Sequence, residues 1–372
     1  MIRVLVAEDS YAARLLIVSV LESDPEIEVV GQVSDGEAAV AQARRLKPDV
    51  ITMDIHMPIM DGLAATARIM NERPLPIVVV SSTVDPGDVA STFDAIKAGA
   101  LVALAKPGSG EDRRSVEDRA IFTATVKAMA GVKVVRRWSS ALDRAGAPPQ
   151  QQDKSESRPL PDPANASWGE TGLPRARRST AAAPISLVAI AASTGGPTAL
   201  QTILGALPPT FPAPIVLVQH IARGFLVGFA QWLDGECPLR VRVARAAEPL
   251  EPGTVYVAPD DVHLGVSATR QAVALHTDPV GGFRPSASVL FESAAKAYGE
   301  GLACVILTGM GSDGVSGLRQ VKHRSGYVIA QDEATSLIYG MPGEAVSAGV
   351  VDLSLPLDLI AAHLTKVTEG KA

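Results

Sequence analysis

Short β-branched apolar runs alternate with single helical patterns along nearly all of this chain, and one proline-rich interval interrupts them. Ile2 to Ala7, Glu28 to Val33, Val50 to Met53, Ile77 to Val80 and Leu101 to Ala105 read as strands. Ser10 can cap a helix through Leu21, and Asp35 can cap a second. Gly62 to Met70, a stretch ending near Ala98, and Glu111 to Ala130 carry further helical patterns. Strands separated by single helices imply a parallel sheet. Right-handed crossovers then limit the topology to a doubly wound one.

From about residue 131 the periodicity stops. Pro148-Pro149, Pro159, Pro161, Pro163 and Pro174 stand among polar residues, which marks a flexible linker. Arg175, Arg177 and Arg178 form a small basic cluster there, read as linker solubility or, less simply, partner docking. The alternation resumes at Ile185. Ile185 to Ala192, Pro214 to Gln219, Thr254 to Ala258, Ala303 to Leu307 and Tyr327 to Ala330 read as strands. His263 to His276, broken by Ala268-Thr269-Arg270, reads as a hairpin. The expected division is a first α/β unit over residues 1–125, a linker over 126–184 and a second α/β unit over 185–368.

The chain has 372 residues and is 47% hydrophobic but only 4% aromatic, so its cores must be built from aliphatic side chains. A formal net charge of -6 without a long basic stretch argues against nucleic acid as a main partner. Cys237 and Cys304 show no metal-ligand spacing, and Cys304 sits in an apolar run. That usage fits a reducing cytosol. The N-terminal residues carry acids within a strand pattern, unlike a signal peptide. No apolar run approaches the ~18 residues of a membrane helix. A cytoplasmic protein that is not membrane-embedded is expected.

In the first unit, chemistry-bearing residues fall at strand ends. Glu8 and Asp9 follow the first strand, Asp54 ends the third, Ser81 the fourth and Lys106 the fifth. Strand C-termini converge in a doubly wound sheet. Crowded carboxylates raise one another's pKa unless a cation joins them. Oxygen donors with room for water suit Mg2+. Asp54 begins Asp-Ile-His-Met-Pro-Ile-Met-Asp-Gly, a loop expected to expose it as a nucleophile toward a phosphoryl group. Taken singly, each acid could equally be a helix cap or a solvated strand end.

In the second unit, Ala-Ser-Thr-Gly-Gly-Pro ends at Pro197, Val-Gln-His at His220 and Gly-Met-Gly-Ser-Asp-Gly at Gly314. Each follows an apolar run. Ser193 would sit at a sharp strand-to-helix turn, with Pro197 suited to the first helical turn. His220 can take the serine proton, and Asp313 can orient the imidazole. The backbone amide of Met310 could hold an oxyanion. Alternatives exist for each: Gly195-Gly196 could cradle a phosphate, His220 could be a core histidine, and Asp313 a helix cap.

Residues 1–125 resemble the receiver domain of bacterial response regulators, a flavodoxin-like fold. The resemblance implies Asp54 as phosphoacceptor, with Glu8, Asp9, Asp54 and a backbone carbonyl at His56 as Mg2+ ligands. Ser81 and Lys106 are implied as the switch hydroxyl and its charge partner. Two positions depart from the commoner pattern: Glu8 replaces aspartate, and Ala103 stands three before the lysine, where an aromatic residue is frequent. Residues 185 onward resemble the Rossmann-like catalytic domain of the protein-glutamate methylesterases of bacterial chemotaxis. The matching text includes Ala-Ser-Thr-Gly-Gly-Pro, Val-Gln-His, Arg284-Pro-Ser, Leu-Thr-Gly-Met-Gly-Ser-Asp-Gly, Ala330-Gln-Asp-Glu and Tyr339-Gly-Met-Pro. This resemblance implies Ser193 as nucleophile, His220 as base and Asp313 as its orienter, with Thr194 and Met310 in support. It implies a two-component enzyme acting on chemoreceptor cytoplasmic helices, a histidine kinase as phosphodonor, and no cofactor for ester hydrolysis. A binding module with a vestigial triad and a DNA-binding regulator are the rival classes. The intact Ser, His and Asp disfavour the first. The lack of a basic recognition helix disfavours the second.

Overall fold

The computed structural model describes residues 1–81, 86–110, 112–132, 134 and 184–370. Most of the stretch read as linker, including Arg175, Arg177 and Arg178, lies outside the described residues, as does Glu111.

The first unit holds five parallel strands in the order β2-β1-β3-β4-β5. These are β1 (Ile2–Ala7), β2 (Ile27–Val33), β3 (Val50–Asp54), β4 (Ile77–Ser81) and β5 (Val102–Ala105). β3 and β4 are buried along their whole length, which explains why their sequences are mainly apolar rather than alternating. Helices α1 (Tyr11–Glu22) and α5 (Arg113–Ala130) cover one face, and α2 (Gly36–Leu46), α3 (Gly62–Glu72) and α4 (Pro86–Lys97) the other. The caps read from sequence form: Ser10 Oγ accepts from the Ala13 amide and Asp35 Oδ1 from the Ala38 amide. α5 continues to Ala130, past position 125.

The second unit is a seven-stranded parallel sheet in the order β14-β13-β12-β6-β7-β9-β8. Its centre is β6 (Leu187–Ala192), flanked by β7 (Ile215–Gln219) and β12 (Leu302–Ile306). Beyond them lie β8 (Arg240–Val243), β9 (Thr254–Val257), β13 (Tyr327–Gln331) and β14 (Leu353–Leu355). The expected hairpin forms as β10 (His263–Val266) and β11 (Ala272–Leu275), antiparallel. On one face pack α6 (Gly196–Ala206), α7 (Leu226–Glu236) and α11 (Leu357–Thr368). On the other pack α8 (Ala287–Tyr298), α9 (Val315–His323) and α10 (Met341–Ser347). Cys304 is fully buried in that second face as a free thiol.

The two units touch through α4 and α7. Phe93 and Ile96 of α4 join the apolar cluster of Phe229, Trp232 and Leu233. At the rim, Lys97 Nζ lies 2.5 Å from Glu236 Oε1. Leu337 and Ile338 of the second unit pack against the β1, β4 and α5 side of the first.

Candidate active site

The strand order of the second unit reverses at β6: the chain proceeds from β6 to β7 on one side and later returns to β12 on the other. Such a switch point opens a crevice at the strand C-termini. Ser193 and Thr194 follow β6, His220 follows β7, and Met310 and Asp313 follow β12. All five therefore hang from three adjacent strands. Ala192 pairs with Gln219, so Ser193 and His220 occupy the next matched positions, about 5 Å apart between neighbouring strands. The Gln219 side chain ties the two ends together, donating to the carbonyls of Ser193 (2.9 Å) and His220 (2.8 Å). Gly309 lies against the serine; a Cβ there would come 2.6 Å from Ser193 Cβ and 2.6 Å from Met341 Sδ. Only glycine fits that approach.

His220 Nε2 is 3.0 Å from Asp313 Oδ2, and both side chains are nearly fully buried. Asp313 also accepts from Ser286 Oγ (2.8 Å), the Ala287 amide (2.7 Å), the Ser288 amide (3.1 Å) and the Gly314 amide (2.9 Å). The first two of these amides open α8, where the helix end favours an anion. Burial alone would raise the Asp313 carboxyl, but the hydrogen bond and charge of His220, with Ser286 and Ala287, hold it down at about 2. Asp313 is thus a carboxylate, and the nitrogen that faces it must carry hydrogen. His220 Nδ1 is buried and has no hydrogen-bond partner among the described residues. Ser193 and Thr194 are half-buried. Among the described residues the amides of Thr194 and Met310 make no hydrogen bond.

Sequence reasoning missed Ser286 as a partner of Asp313, although Arg284-Pro-Ser stood out as a segment. It also missed buried His263, whose Nδ1 accepts from the Ser286 amide at 3.0 Å while Nε2 donates to the Asp278 carbonyl at 3.0 Å. Nothing in the local sequence links position 263 to 286; only the hairpin and α8 bring them together.

In the first unit the reversal falls between β1 and β3, and the acids gather there. Carboxylate oxygens of Glu8, Asp9 and Asp54 lie within 4.8 Å of one another. Lys106 Nζ is 2.9 Å from Glu8 Oε1 and 3.0 Å from Asp54 Oδ2. Burial, then the charge of Asp54, keeps the Glu8 carboxyl above its usual range despite Lys106. Lys106 is raised, because its bond to Glu8 and the charge of Asp54 outweigh its own burial. An all-oxygen donor set that repels itself fits Mg2+. One expectation is corrected: the loop after Asp54 does not expose it. The Asp54 side chain is only 5% exposed, because Lys106 and the Ile55 amide close over it. Ser81 is buried at the end of β4, and His56 is exposed just beyond Asp54.

Fold and site define a class: a receiver-type acidic pocket joined to an α/β domain whose strand ends carry a serine, a histidine and an aspartate. Comparison with known families agrees. The CheB methylesterase family matches residues 188–364, and the response regulator receiver domain matches residues 4–115. A protein-glutamate methylesterase/protein-glutamine glutaminase of Anaeromyxobacter dehalogenans is 49% identical over 98% of this chain and 98% of its own. A counterpart from Myxococcus xanthus is 47% identical over 99% of this chain and 98% of its own. The crystal structure of a Thermotoga maritima CheB methylesterase catalytic domain is 39% identical, covering 50% of this chain and 99% of that one, with a TM-score of 0.48. The chain belongs to the family of receiver-linked protein-glutamate methylesterases/protein-glutamine glutaminases.

Proposed function

We propose that this chain hydrolyses γ-glutamyl methyl esters, and deamidates glutamines, on the cytoplasmic helices of methyl-accepting chemoreceptors. The reaction is a serine hydrolysis in chemotaxis adaptation, controlled by phosphorylation of Asp54 from a histidine kinase. The observation that carries the reading is the His220 imidazole, bound at Nε2 by Asp313 and left unpartnered at Nδ1, at the end of the strand that pairs with the one leading into Ser193.

Ser193 Oγ attacks the ester carbonyl while His220 Nδ1 takes its proton. The amides of Thr194 and Met310 receive the oxyanion. His220 returns the proton to the leaving oxygen, and methanol departs from an acyl-Ser193. Water, deprotonated by the same imidazole, then releases the glutamate. With a glutamine substrate the leaving group is ammonia, which depends more strongly on protonation by His220.

In the receiver, Asp54 attacks the phosphorus of the donor. Mg2+, held by Glu8, Asp9, Asp54 and a carbonyl at His56, would offset the phosphoryl charge, and Lys106 and Ser81 would bind its oxygens. No helix among the described residues is long and apolar enough to cross a membrane. Regulation is supported by the junction. Ala103 and Ala105, beside Lys106, pack on the same apolar cluster as Ile221 and Ala222, beside His220. A phosphoryl-Asp54 state that packs differently there would change access to the triad.

The test is methanol release from methylated receptor, with and without a small phosphodonor, by the native chain and by Ser193→Ala. Release that is lost in Ser193→Ala while receptor binding persists supports the enzyme. Equal release by both proteins removes the serine mechanism.

A further inference from the structure

Phe283 lies face to face on the His220 imidazole, with ring centroids 4.2 Å apart and planes 10° apart. The proposed chemistry assigns this residue nothing, yet its placement is tightly built. Val280 and Phe283 form an antiparallel bridge with two reciprocal backbone hydrogen bonds of 3.1 Å. Gly281 and Gly282 close it with φ of 61° and 87°. Two positive φ values in a two-residue loop define the tight hairpin turn that glycine adopts at least cost. Space is not the constraint, since a Cβ at either glycine would meet nothing within 4 Å. On the other side, Arg284 is fastened to Asp261 through Nε (3.0 Å) and Nη2 (2.7 Å). Two residues further, Ser286 holds Asp313. One short strip thus touches both the base and its orienter.

A single hydrogen bond at Nε2 leaves a histidine one freedom that matters. Rotation about the Cβ–Cγ bond displaces Nε2, which lies nearer that axis, less than Nδ1, which it swings out of plane. A flat ring parallel to the imidazole blocks that swing, because either edge would drive into it. The aromatic face also favours the imidazolium that forms during attack. We infer that Phe283 is a positioning residue that fixes the His220 ring plane so that Nδ1 faces Ser193. The inference rests on the serine mechanism proposed above.

The test uses the full chain with phosphodonor and compares Phe283→Ala, Phe283→Leu and Phe283→Tyr with the native protein. Two readouts are taken: methanol release, and the rate at which a fluorophosphonate labels Ser193, which needs the activated serine but not the ester substrate. Thermal unfolding confirms that each variant is folded. The alanine and leucine variants should lose roughly 10–100-fold in kcat and in labelling with KM nearly unchanged, as misaligned bases do. Tyrosine, which restores the flat face, should recover both. Leucine matching phenylalanine would overturn the inference, as would a loss confined to KM, which would make Phe283 a substrate contact. A native chain that labels at Ser193 but releases no methanol would overturn the substrate reading alone, and the labelling series would still decide the role of Phe283.

Discussion

Phe93 of the receiver domain stacks on Trp232 of the catalytic domain, ring centroids 5.0 Å apart and planes inclined by 21°. Phe229 leans on the Phe93 ring with centroids 5.5 Å apart. A residue of a regulatory helix is therefore an interior residue of its neighbour's core. An aromatic pair of this kind contributes about 1 kcal/mol beyond the area it buries. The Lys97–Glu236 pair at the rim is exposed to solvent, where such pairs contribute little. The aromatic contact, not the charge pair, should set the strength of the junction.

Phe93→Ala should therefore raise methanol release in the absence of phosphodonor by at least about fivefold, the shift that 1 kcal/mol gives a two-state equilibrium before the lost buried area is added. The response to phosphodonor should shrink by the same factor. Lys97→Ala should change basal release far less. Steady-state methanol assays on both variants check the ranking, and a larger effect at Lys97 would contradict it.

Asp313 gives a pH prediction. Its pKa is depressed to about 2, against about 3.9 for an unfolded aspartate. A depressed carboxylate stabilises the fold above the unfolded value, and that stability is lost as pH falls from about 4 through about 2. The loss is on the order of 2 kcal/mol. Throughout the working range Asp313 stays ionised, so the acid limb of kcat/KM does not report its protonation. Asp313→Asn should lower kcat by about 10³–10⁴-fold. It should also flatten the stability loss between pH 4 and pH 2. Activity profiles and acid unfolding of the two proteins measure both effects.

The acid pocket of the receiver predicts a response to metal. Burial and the charge of Asp54 push Glu8 up, so a cation relieves a repulsion present in the folded chain. At a hundredfold excess over its Kd, Mg2+ should stabilise the receiver by about 2.7 kcal/mol. Asp9→Asn should weaken this effect, and Asp54→Asn should abolish phosphoryl incorporation while Ser193 still labels. Calorimetry with and without Mg2+, and phosphorylation assays, give the answer.

The two thiols should be inert. Burial pushes Cys237 up to about 11, and Cys304 is raised by its full burial. Since the thiolate is the reactive form, iodoacetamide at neutral pH should modify neither in the folded chain and both after unfolding. Mass spectrometry of the treated protein shows which holds.

Much of this architecture is legible in the sequence because parallel strands buried on both faces must be apolar throughout, and their ends stand out where the first polar residues appear. Glu8, Asp54, Ser193 and His220 were visible for that reason. The edge strands were not. β8 reads Arg-Val-Arg-Val and β14 has three residues, so neither carries the apolar run of a central strand. Burial of Asp54 was also hidden, since it depends on Lys106 arriving from β5, a residue far away in the chain. Phe283 and Ser286 were unreadable as site residues for the same reason. Their partners, His220 and Asp313, lie on other elements, and only tertiary packing sets them face to face.

The placement of β12 beside β6 bears on when the enzyme comes alive during its own synthesis. Ser193 and His220 leave the ribosome once just over half of the chain is made, on strands that pair with each other in the fold. The strand that completes the crevice, and the aspartate behind the base, emerge near the end of translation. Any chain halted before that point carries the nucleophile and its base without the carboxylate that orients the imidazole.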